Sequence, residues 1–317
     1  MKSATILGYY GHNNLGDAAM LEGIKFLLKK YLGINSYQVM TNARGLKIPY
    51  FDVSRVNKTD LFVLGGGELI NRDRLYLPGF DWLQKIQVPK IIIGCGINDV
   101  TKPSEMLPSV MDSLETFVQV NVRDFHSYQL LRSCPSIKNN VYFDFDPSFA
   151  LGMKYSLNFS HNDSIAIIPT DRTTKKYDPG ILHLDIINTS KAILAKMLKE
   201  DKAKSIKLIA FGGDDNDDSK NCHQLQYYLF EHDICLKTEI FRPKNALEAL
   251  SIIGSCRKVY TYRLHGIIFS YMLKLPCVSF DYHCKNVYQR DLLKFAKLPD
   301  IKKNTESSWE DIAKRFQ

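Results

Sequence analysis

The apolar residues of this chain follow two alternating patterns. Short continuous apolar runs, such as "LFVLGGG" (61–67) and "KIIIGCGI" (90–97), end in glycine or close to it, which is typical of strands buried on both faces of a parallel sheet. A β-rich run at 4–8 leads through a polar loop into a segment with helical periodicity, in which Leu21 and Ile24 share one face. The first half therefore predicts strands and helices that alternate around a parallel sheet.

The same alternation restarts after Asp146. Strand candidates lie at 164–169, 205–213, 234–241, 257–262 and 276–280, and helical segments separate them at 185–199, 222–232, 245–255 and 264–273. Strands that alternate with helices of this length predict a second parallel sheet. We therefore expect an α/β protein of two doubly wound, Rossmann-like domains, 1–150 and 151–285, with the segment 286–317 packing back on the first.

The ligand site is expected in an interdomain cleft. Open parallel sheets bind ligands beyond the carboxyl ends of their strands, and pockets often form where two domains meet. The glycines near the ends of the apolar runs mark this edge of the sheet.

The charge balance favours an acidic partner. The 317 residues include 42 Lys and Arg against 34 Asp and Glu, a formal net charge of +8, which suits phosphorylated metabolites, lipid diphosphates at a membrane surface or nucleic acid. No run of Lys and Arg has the length of a nucleic-acid-binding tail, and no alternation of basic and aromatic residues marks a single-strand platform. Nucleic acid is therefore not expected as a partner.

Cysteine usage and hydropathy predict a cytoplasmic protein. The seven cysteines form no C-x-x-C pair and are odd in number, which argues against a disulfide framework and a structural zinc site. The N-terminal apolar run is too short for a signal peptide, and no segment reaches the ~18 apolar residues of a membrane span. The basic charge adds the hypothesis of peripheral association with the inner face of the membrane. Unchanged partitioning of the purified protein between buffer and anionic vesicles would count against it.

Two glycine-containing stretches follow strands of the first half. In "GYYGHNNLGDAAM", Asn14 favours turn geometry and Asp17 is suited to capping the following helix, although the dinucleotide-binding spacing of glycines is absent. Further on, Gly65, Gly66 and Gly67 would let the backbone approach a ligand closely and offer N–H groups to an anion. Each stretch is equally compatible with a tight turn at a sheet edge that has no role in ligand binding.

Two further polar stretches are candidates for ligand contacts. In "VRDFHS", Arg123 and Asp124 lie between a short β-run and a helical segment, and Ser127 shares a face with Asp124. Such an Arg–Asp neighbour pair is usually a structural ion pair, but its place after a strand makes Arg123 a candidate for the cleft. The acidic loop 214–218 has the odd spacing of a calcium loop without its glycine, so contact with sugar hydroxyls is the better interpretation.

In the stretch "YTYRLHGIIFSYMLKLPCVSFDYHCK", basic residues lie on either side of apolar segments that are expected to be buried. Arg263 and His265 begin a helix, where free N–H groups and the helix dipole favour an anion. A cation there is unfavourable for the helix itself, so we expect a negative ligand as compensation. The next strand brings Tyr282 and Lys285 to the same sheet edge. A capped helix with a satisfied histidine is the alternative.

Seven short motifs in this order resemble the polysaccharide pyruvyl transferase family. They are "NNLGDA" near the N-terminus, "GGG" at 65–67, "GCGI" at 94–97, "VRDFHS" at 122–127, "DPSF" at 146–149, "YRLHG" at 262–266 and "DYHCK" at 281–285. The resemblance implies a glycosyltransferase B-like architecture and phosphoenolpyruvate as donor. It also implies a pyruvate ketal as product, formed on a sugar of a surface polysaccharide such as an exopolysaccharide or capsule, or on its lipid-linked oligosaccharide precursor. By the same resemblance, Arg123, His265 and Lys285 match the family's functional arginine, histidine and lysine.

The residue types suit this chemistry. Phosphoenolpyruvate carries a carboxylate and a phosphate, so its site needs several cations, and ketal formation needs one acid/base group. We hypothesise that His265 is that group and that Arg123, Arg263 and Lys285 bind the donor, with His265 and Lys285 facing one cleft and Arg123 opposite them. Neither a cofactor nor a metal ion is expected. A nucleotide-sugar-dependent glycosyltransferase and a non-catalytic sugar- or phosphate-binding protein remain as alternatives.

Overall fold

The chain forms two compact units. The computed structural model describes residues 2–41, 52–73, 75, 80–97, 100–170, 183–212, 218–280 and 284–316. The first unit comprises Met1–Gly11, Asp17–Tyr155 and Lys294–Gln317, and the second comprises His12–Gly16 and Ser156–Leu293. The short segment His12–Gly16 therefore belongs to the second unit although its neighbours in sequence belong to the first.

The first unit is built on a parallel sheet of six strands. They are β1 (Lys2–Gly8), β2 (Ile34–Thr41), β3 (Leu61–Ile70), β4 (Lys90–Ile97), β5 (Gln119–Val122) and β6 (Val141–Phe143). Their spatial order is β2-β1-β3-β4-β5-β6. The direction of the strand order reverses between β1 and β3, and ligands of open α/β sheets bind at such a switch point.

The second unit is built on a parallel sheet of five strands. They are β7 (Ser164–Ile168), β8 (Ser205–Ile209), β9 (Lys237–Phe241), β10 (Lys258–Thr261) and β11 (Cys277–Ser279), in the order β11-β10-β7-β8-β9. The switch point lies between β7 and β10, so the residues that follow β10 are at the edge where ligands bind. The prediction of two parallel α/β sheets is confirmed.

Helices connect these strands. They are α1 (Leu15–Leu32), α2 (Val53–Val56), α3 (Phe80–Leu83), α4 (Pro108–Glu115), α5 (Phe125–Arg132), α6 (Leu151–Lys154), α7 (His183–Glu200), α8 (Asp218–Glu231), α9 (Ala246–Gly254), α10 (Leu264–Met272), α11 (Cys284–Phe295) and α12 (Leu298–Arg315), with single 3₁₀ turns at Pro103–Glu105, Lys138–Asn140 and Pro147–Ala150. Within the described part of the chain, no helix has both the length and the apolar character that a membrane span requires.

Apolar clusters cover both faces of the six-stranded sheet. Phe62 and Leu64 belong to one cluster and Val63 to the other, as expected because successive side chains of a strand point to opposite faces. The second cluster also contains Trp309 and Ile312 of α12, both fully buried. The C-terminal helix is thus part of the core of the first unit.

A buried polar network connects α12 to the ends of β5 and β6. Asp144 accepts hydrogen bonds from the N–H of Phe145 at 2.7 Å and from the hydroxyl of Thr305 at 3.1 Å. Nearby, Nδ2 of Asn121 donates to Oγ of Ser308 at 3.0 Å. Burial raises the pKa of Asp144 from 3.8 to about 6, although its hydrogen bonds act in the opposite direction. The carboxyl group therefore keeps its proton to a higher pH in the native state than in the unfolded chain.

This difference predicts a pH dependence of stability. Because the native state releases the proton of Asp144 near pH 6 and the unfolded chain near 3.8, the free energy of unfolding should fall between about pH 4 and 6, by up to about 3 kcal/mol. Asp144→Asn removes the titrating group, so its free energy of unfolding should fall less over this window. Urea unfolding followed by tryptophan fluorescence measures this, because Trp82 and Trp309, both tryptophans of the chain, lie in the first unit.

Asp311→Asn is the control for loss of one carboxylate in the same unit, since Asp311 is exposed and pairs with Lys314 at 2.9 Å. Equal pH slopes in the wild type and Asp144→Asn would contradict the prediction.

Candidate functional site

The glycine run of β3 lies beneath helix α1. Gly66 and Gly67 have φ angles of 76° and 96°, which other residues rarely adopt. A Cβ at Gly65 would lie 2.7 Å from Cδ1 of Ile24, and one at Gly66 would lie 3.1 Å from Cβ of Met20. These glycines therefore permit close packing of the helix on the strand. Their predicted contact with a ligand remains a prediction.

The cap of α1 differs from the expected one. The helix begins at Leu15, and Oδ1 of the preceding residue, Asn14, accepts the N–H of Gly16 at 3.0 Å. Asn14 is therefore the capping residue, which corrects the assignment of this role to Asp17. Asp17 lies within the first turn, where its negative charge is favourable with the helix dipole.

Arg123 is held in a buried ion pair. It is 4% exposed, and its Nη1 donates to Oδ2 of Asp146 at 2.9 Å. Asp146 in turn accepts the N–H of Ser148 at 3.0 Å and its hydroxyl at 2.6 Å through Oδ1. Burial acts to lower the pKa of Arg123, but the charges of Asp146, Glu68 and Asp124 outweigh it and raise the pKa. Arg123 thus has a fixed carboxylate partner inside its own unit.

Asp124 and Ser127 join helix α5 to strand β4. Asp124 caps α5 by accepting the N–H of Ser127 at 2.8 Å and its hydroxyl at 2.9 Å. Oγ of Ser127 also accepts the N–H of Ile97 at 2.8 Å. A Cβ at Gly96 would lie 3.0 Å from Oδ2 of Asp124. Both side chains therefore have structural contacts, and their predicted role in substrate binding is a separate proposal.

The "DPSF" stretch (146–149) contacts helix α1, strand β4 and Arg123. Pro147 packs against two glycines, because a Cβ at Gly23 would overlap its carbonyl oxygen and one at Gly94 would overlap its ring. Asp146 meets Arg123, as described above. Asp146 was not predicted from sequence as a partner of Arg123, and the only signal for it was its place in "DPSF", one of the seven motifs.

In the second unit, the segment His12–Gly16 lies against His265. Leu15 donates its N–H to the carbonyl oxygen of Phe211, beyond β8, at 2.8 Å. A Cβ at Gly16 would overlap Nδ1 of His265, so only glycine leaves room for the imidazole ring here. The ring of His265 also contacts that of Phe269, with centroids 6.4 Å apart and nearly perpendicular planes. The backbone of the segment thus defines one side of the histidine.

Arg263 precedes α10 and pairs with Asp218. It occupies the N-cap position of α10, and its N–H donates to Oγ1 of Thr261 at 3.0 Å. Its Nη2 donates to Oδ1 of Asp218. Asp218 of the chain itself therefore supplies a compensating negative charge at this helix end. The expected contact of Arg263 with an anionic ligand remains a prediction.

Asp218 is buried, whereas the sequence predicted that it lies in an acidic loop. The sequence placed it at the end of an acidic loop, of which residues 214–217 lie outside the described residues. Asp218 itself begins α8 and is fully buried. Its Oδ2 accepts the N–H of Phe211 at 3.2 Å and that of Gly212 at 2.7 Å. Burial raises the pKa of Asp218, while Arg263 acts in the opposite direction.

Lys285 lies at the same edge of the five-stranded sheet. It is a half-buried residue in the first turn of α11. The next residue, Asn286, donates from Nδ2 to the carbonyl oxygen of Tyr262 at 3.0 Å, which fixes the start of α11 beside the end of β10. Tyr282 lies outside the described residues. The structure thus brings Arg263, His265 and Lys285 to the carboxyl edge of one sheet.

These residues suit an anionic ligand. Among the described residues, no group of three or more His, Cys, Asp or Glu side chains could hold a metal ion. The edge of the second unit instead combines a histidine, a lysine and an arginine with the N-terminus of α10, which is a favourable environment for phosphate or carboxylate groups.

The fold of the chain is glycosyltransferase B-like. It is similar to the Staphylococcus aureus MnaA–UDP structure, with a TM-score of 0.56 and 11% identity over 96% of this chain and 91% of that one. It is also similar to the UDP-GlcNAc 2-epimerases of Methanocaldococcus jannaschii (TM-score 0.54, 12% identity, 99% of both chains) and Neisseria meningitidis (TM-score 0.52, 12% identity, 99% of this chain and 94% of that one). At these identities the likeness shows the fold alone.

The sequence itself identifies the family. No curated protein matches the chain in a sequence comparison. The family model "Polysaccharide pyruvyl transferase" matches residues 14–283, a range that begins at Asn14 and includes Arg123, Arg263 and His265. The chain therefore belongs to the polysaccharide pyruvyl transferase family.

Proposed function

We propose that this protein transfers the enolpyruvyl group of phosphoenolpyruvate to a sugar and forms a pyruvate ketal in surface polysaccharide biosynthesis. The observation that carries the proposal is the position of His265. Its imidazole lies against the backbone of Gly16, in the first turn of α10, at the carboxyl edge of the five-stranded sheet. A group held in this way is suited to transferring a proton to a bound substrate.

The proposed reaction needs one proton-transfer group and two sugar hydroxyls. His265 gives a proton to the methylene carbon of phosphoenolpyruvate, which leaves a cationic centre at C2. One hydroxyl attacks C2 and returns its proton to His265. The C2–O bond to phosphate then breaks, and the second hydroxyl closes the ketal while its proton leaves with inorganic phosphate. The products are the ketal and one phosphate.

The cations of the site bind the donor in this proposal. Lys285 supplies a point charge from α11, and Arg263 supplies a planar guanidinium whose Nη2 also donates to Asp218. Arg123 is proposed as a third cation, although its guanidinium already contacts Asp146. Asn14, Asp17, the glycines Gly65, Gly66 and Gly67, and Asp124, Ser127 and Tyr282 are proposed to contact substrate.

A donor assay tests the proposal. The protein is incubated with phosphoenolpyruvate and with lipid-linked or nucleotide-linked sugars, and inorganic phosphate and the mass of the acceptor are measured. We expect phosphate release that depends on the acceptor, together with an acceptor whose mass has increased by one pyruvate ketal. Phosphoenolpyruvate that binds without turnover on any acceptor would instead support the non-catalytic binding protein.

A nucleotide-sugar-dependent glycosyltransferase is the second candidate. It is favoured by one observation, the similarity in fold to enzymes solved with UDP or UDP-GlcNAc. The same assay separates the two candidates when nucleotide sugars are offered as donors in place of phosphoenolpyruvate. Release of a nucleoside diphosphate, with no phosphate release from phosphoenolpyruvate, would replace the first proposal by the second.

A further inference from the structure

The Asp218–Arg263 ion pair is buried at the edge of the sheet that carries His265. Arg263 is 7% exposed and Asp218 is fully buried. Moving two charges out of water is costly, and a buried pair often adds little net stability compared with apolar residues of the same volume. A contribution to stability alone is therefore a weak explanation for this pair. Its position beside His265 indicates a role in ligand binding.

Asp218 is fixed independently of Arg263. Two backbone N–H groups beyond β8, those of Phe211 and Gly212, donate to its Oδ2, and Nδ2 of Asn221 approaches its Oδ1 at 3.4 Å. Oδ1 of Asp218 also accepts the hydrogen bond from Nη2 of Arg263. The carboxylate is thus a rigid acceptor, and the guanidinium that binds it takes its orientation from α8 and the end of β8.

Phe211, which donates to Asp218, also contacts residues that pack against His265, the proposed proton-transfer residue. The carbonyl oxygen of Phe211 accepts the N–H of Leu15, in the segment that lies against His265. The ring of Phe211 contacts that of Phe269, with centroids 5.6 Å apart, and Phe269 contacts His265. Phe211, whose N–H donates to Asp218, is therefore connected to His265 through the ring of Phe269.

We propose that Asp218 is a positioning residue that orients the guanidinium of Arg263 toward the anionic group of the donor. Asp218 itself does not contact the donor. Its hydrogen bond with Nη2 holds the plane of the guanidinium, so that this group binds a carboxylate or phosphate without a further loss of side-chain freedom. This inference rests on the proposed function, since it takes phosphoenolpyruvate as the ligand of Arg263.

Asp218→Asn tests the proposal. Asparagine has nearly the same shape and can still accept the N–H groups of Phe211 and Gly212, but it has no charge for Arg263. We expect the Kd and the KM for phosphoenolpyruvate to rise roughly 10- to 100-fold, the loss that corresponds to one hydrogen bond with a charged group. The KM for the acceptor and kcat should change much less, because His265 is unaltered. A purely structural role would lower the folded fraction without this selective change.

A double-mutant cycle isolates the action through Arg263. In the background of Arg263→Gln, Asp218→Asn should have little further effect on the Kd for phosphoenolpyruvate measured by calorimetry. Equal effects in both backgrounds would overturn the proposal. Asp163→Asn is the matched control, because Asp163 forms an exposed ion pair with Lys204 at 2.6 Å in the same unit and should bind donor like the wild type.

The outcomes for this inference and for the proposed function are distinct. A wild type that does not bind phosphoenolpyruvate overturns both. A wild type that binds it, with an unchanged Kd in Asp218→Asn, overturns the inference alone. If Asp218→Asn does not fold, Asp218→Glu keeps the charge and moves the carboxylate by one methylene. A raised KM for phosphoenolpyruvate in that variant supports the proposal, and an unchanged KM overturns it.

Discussion

Replacement of His265 by glutamine is expected to lower kcat by about 10²–10⁴-fold, which is the usual contribution of a positioned acid/base group. Glutamine retains a polar side chain of similar length but cannot exchange a proton near neutral pH. The KM for phosphoenolpyruvate should change less, because the proposed donor-binding cations are unaltered. The measurement is phosphate release at saturating phosphoenolpyruvate and acceptor.

Two further variants separate proton transfer from general disturbance. His223→Gln makes the same replacement at an exposed position of α8 in the same unit, and its kcat should equal that of the wild type. Gly16→Ala places a methyl group where Nδ1 of His265 lies, so it should also lower kcat by displacing the ring. Near-normal turnover of His265→Gln would show that another group transfers the proton.

Replacement of Asp146 by asparagine is expected to lower the free energy of unfolding of the first unit by about 3–5 kcal/mol. Arg123 would remain buried, at 4% exposure, without the carboxylate that now lies 2.9 Å from its Nη1. Loss of one partner of a buried pair is costly because the remaining charge is not solvated and has lost the carboxylate to which it was hydrogen-bonded; for Arg123, only the more distant influence of Glu68 and Asp124 would remain. Urea unfolding at pH 7, followed by the fluorescence of Trp82 and Trp309, reports on this unit.

Asp311→Asn provides the comparison for an exposed pair of the same unit. The side chains of Lys314 and Asp311 are 72% and 57% exposed although their charged atoms are 2.9 Å apart, and solvent screening limits such a pair to about 0–1 kcal/mol. Similar losses of stability in Asp146→Asn and Asp311→Asn would mean that burial of the Arg123 pair has no energetic consequence, contrary to the prediction.

Strands buried on both faces were predicted well from sequence. Strand β4 spans Lys90–Ile97, as its apolar run indicated, and the run at 61–67 lies within β3. Strands β2 and β6 were not predicted. They lie at the two edges of the six-stranded sheet, where β2 is partly exposed and interrupted by polar residues and β6 has only three residues. An edge strand has fewer buried neighbours, so its apolar pattern is weaker.

The strands and helices of the site were predicted better than its contacts. The start of α10 after β10 was expected, so Arg263 and His265 were placed at the sheet edge from sequence. The capping role was assigned to Asp17 rather than Asn14, because either residue type can cap a helix and only the backbone decides where the helix begins. The proximity of Gly16 to His265 could not be predicted, since it joins residues almost 250 positions apart.

The sequence by itself determined that this protein has two parallel α/β sheets and that Arg263 and His265 follow a buried strand. Local hydrophobic patterns and helix-start signals are sufficient for this, because they depend on neighbouring residues. Only the tertiary structure decided the partners of the two arginines. Asp146 and Asp218 lie 23 and 45 positions from the arginines that they bind. Charge compensation depends on distance in space and on exclusion of water, and neither quantity is encoded by spacing along the chain.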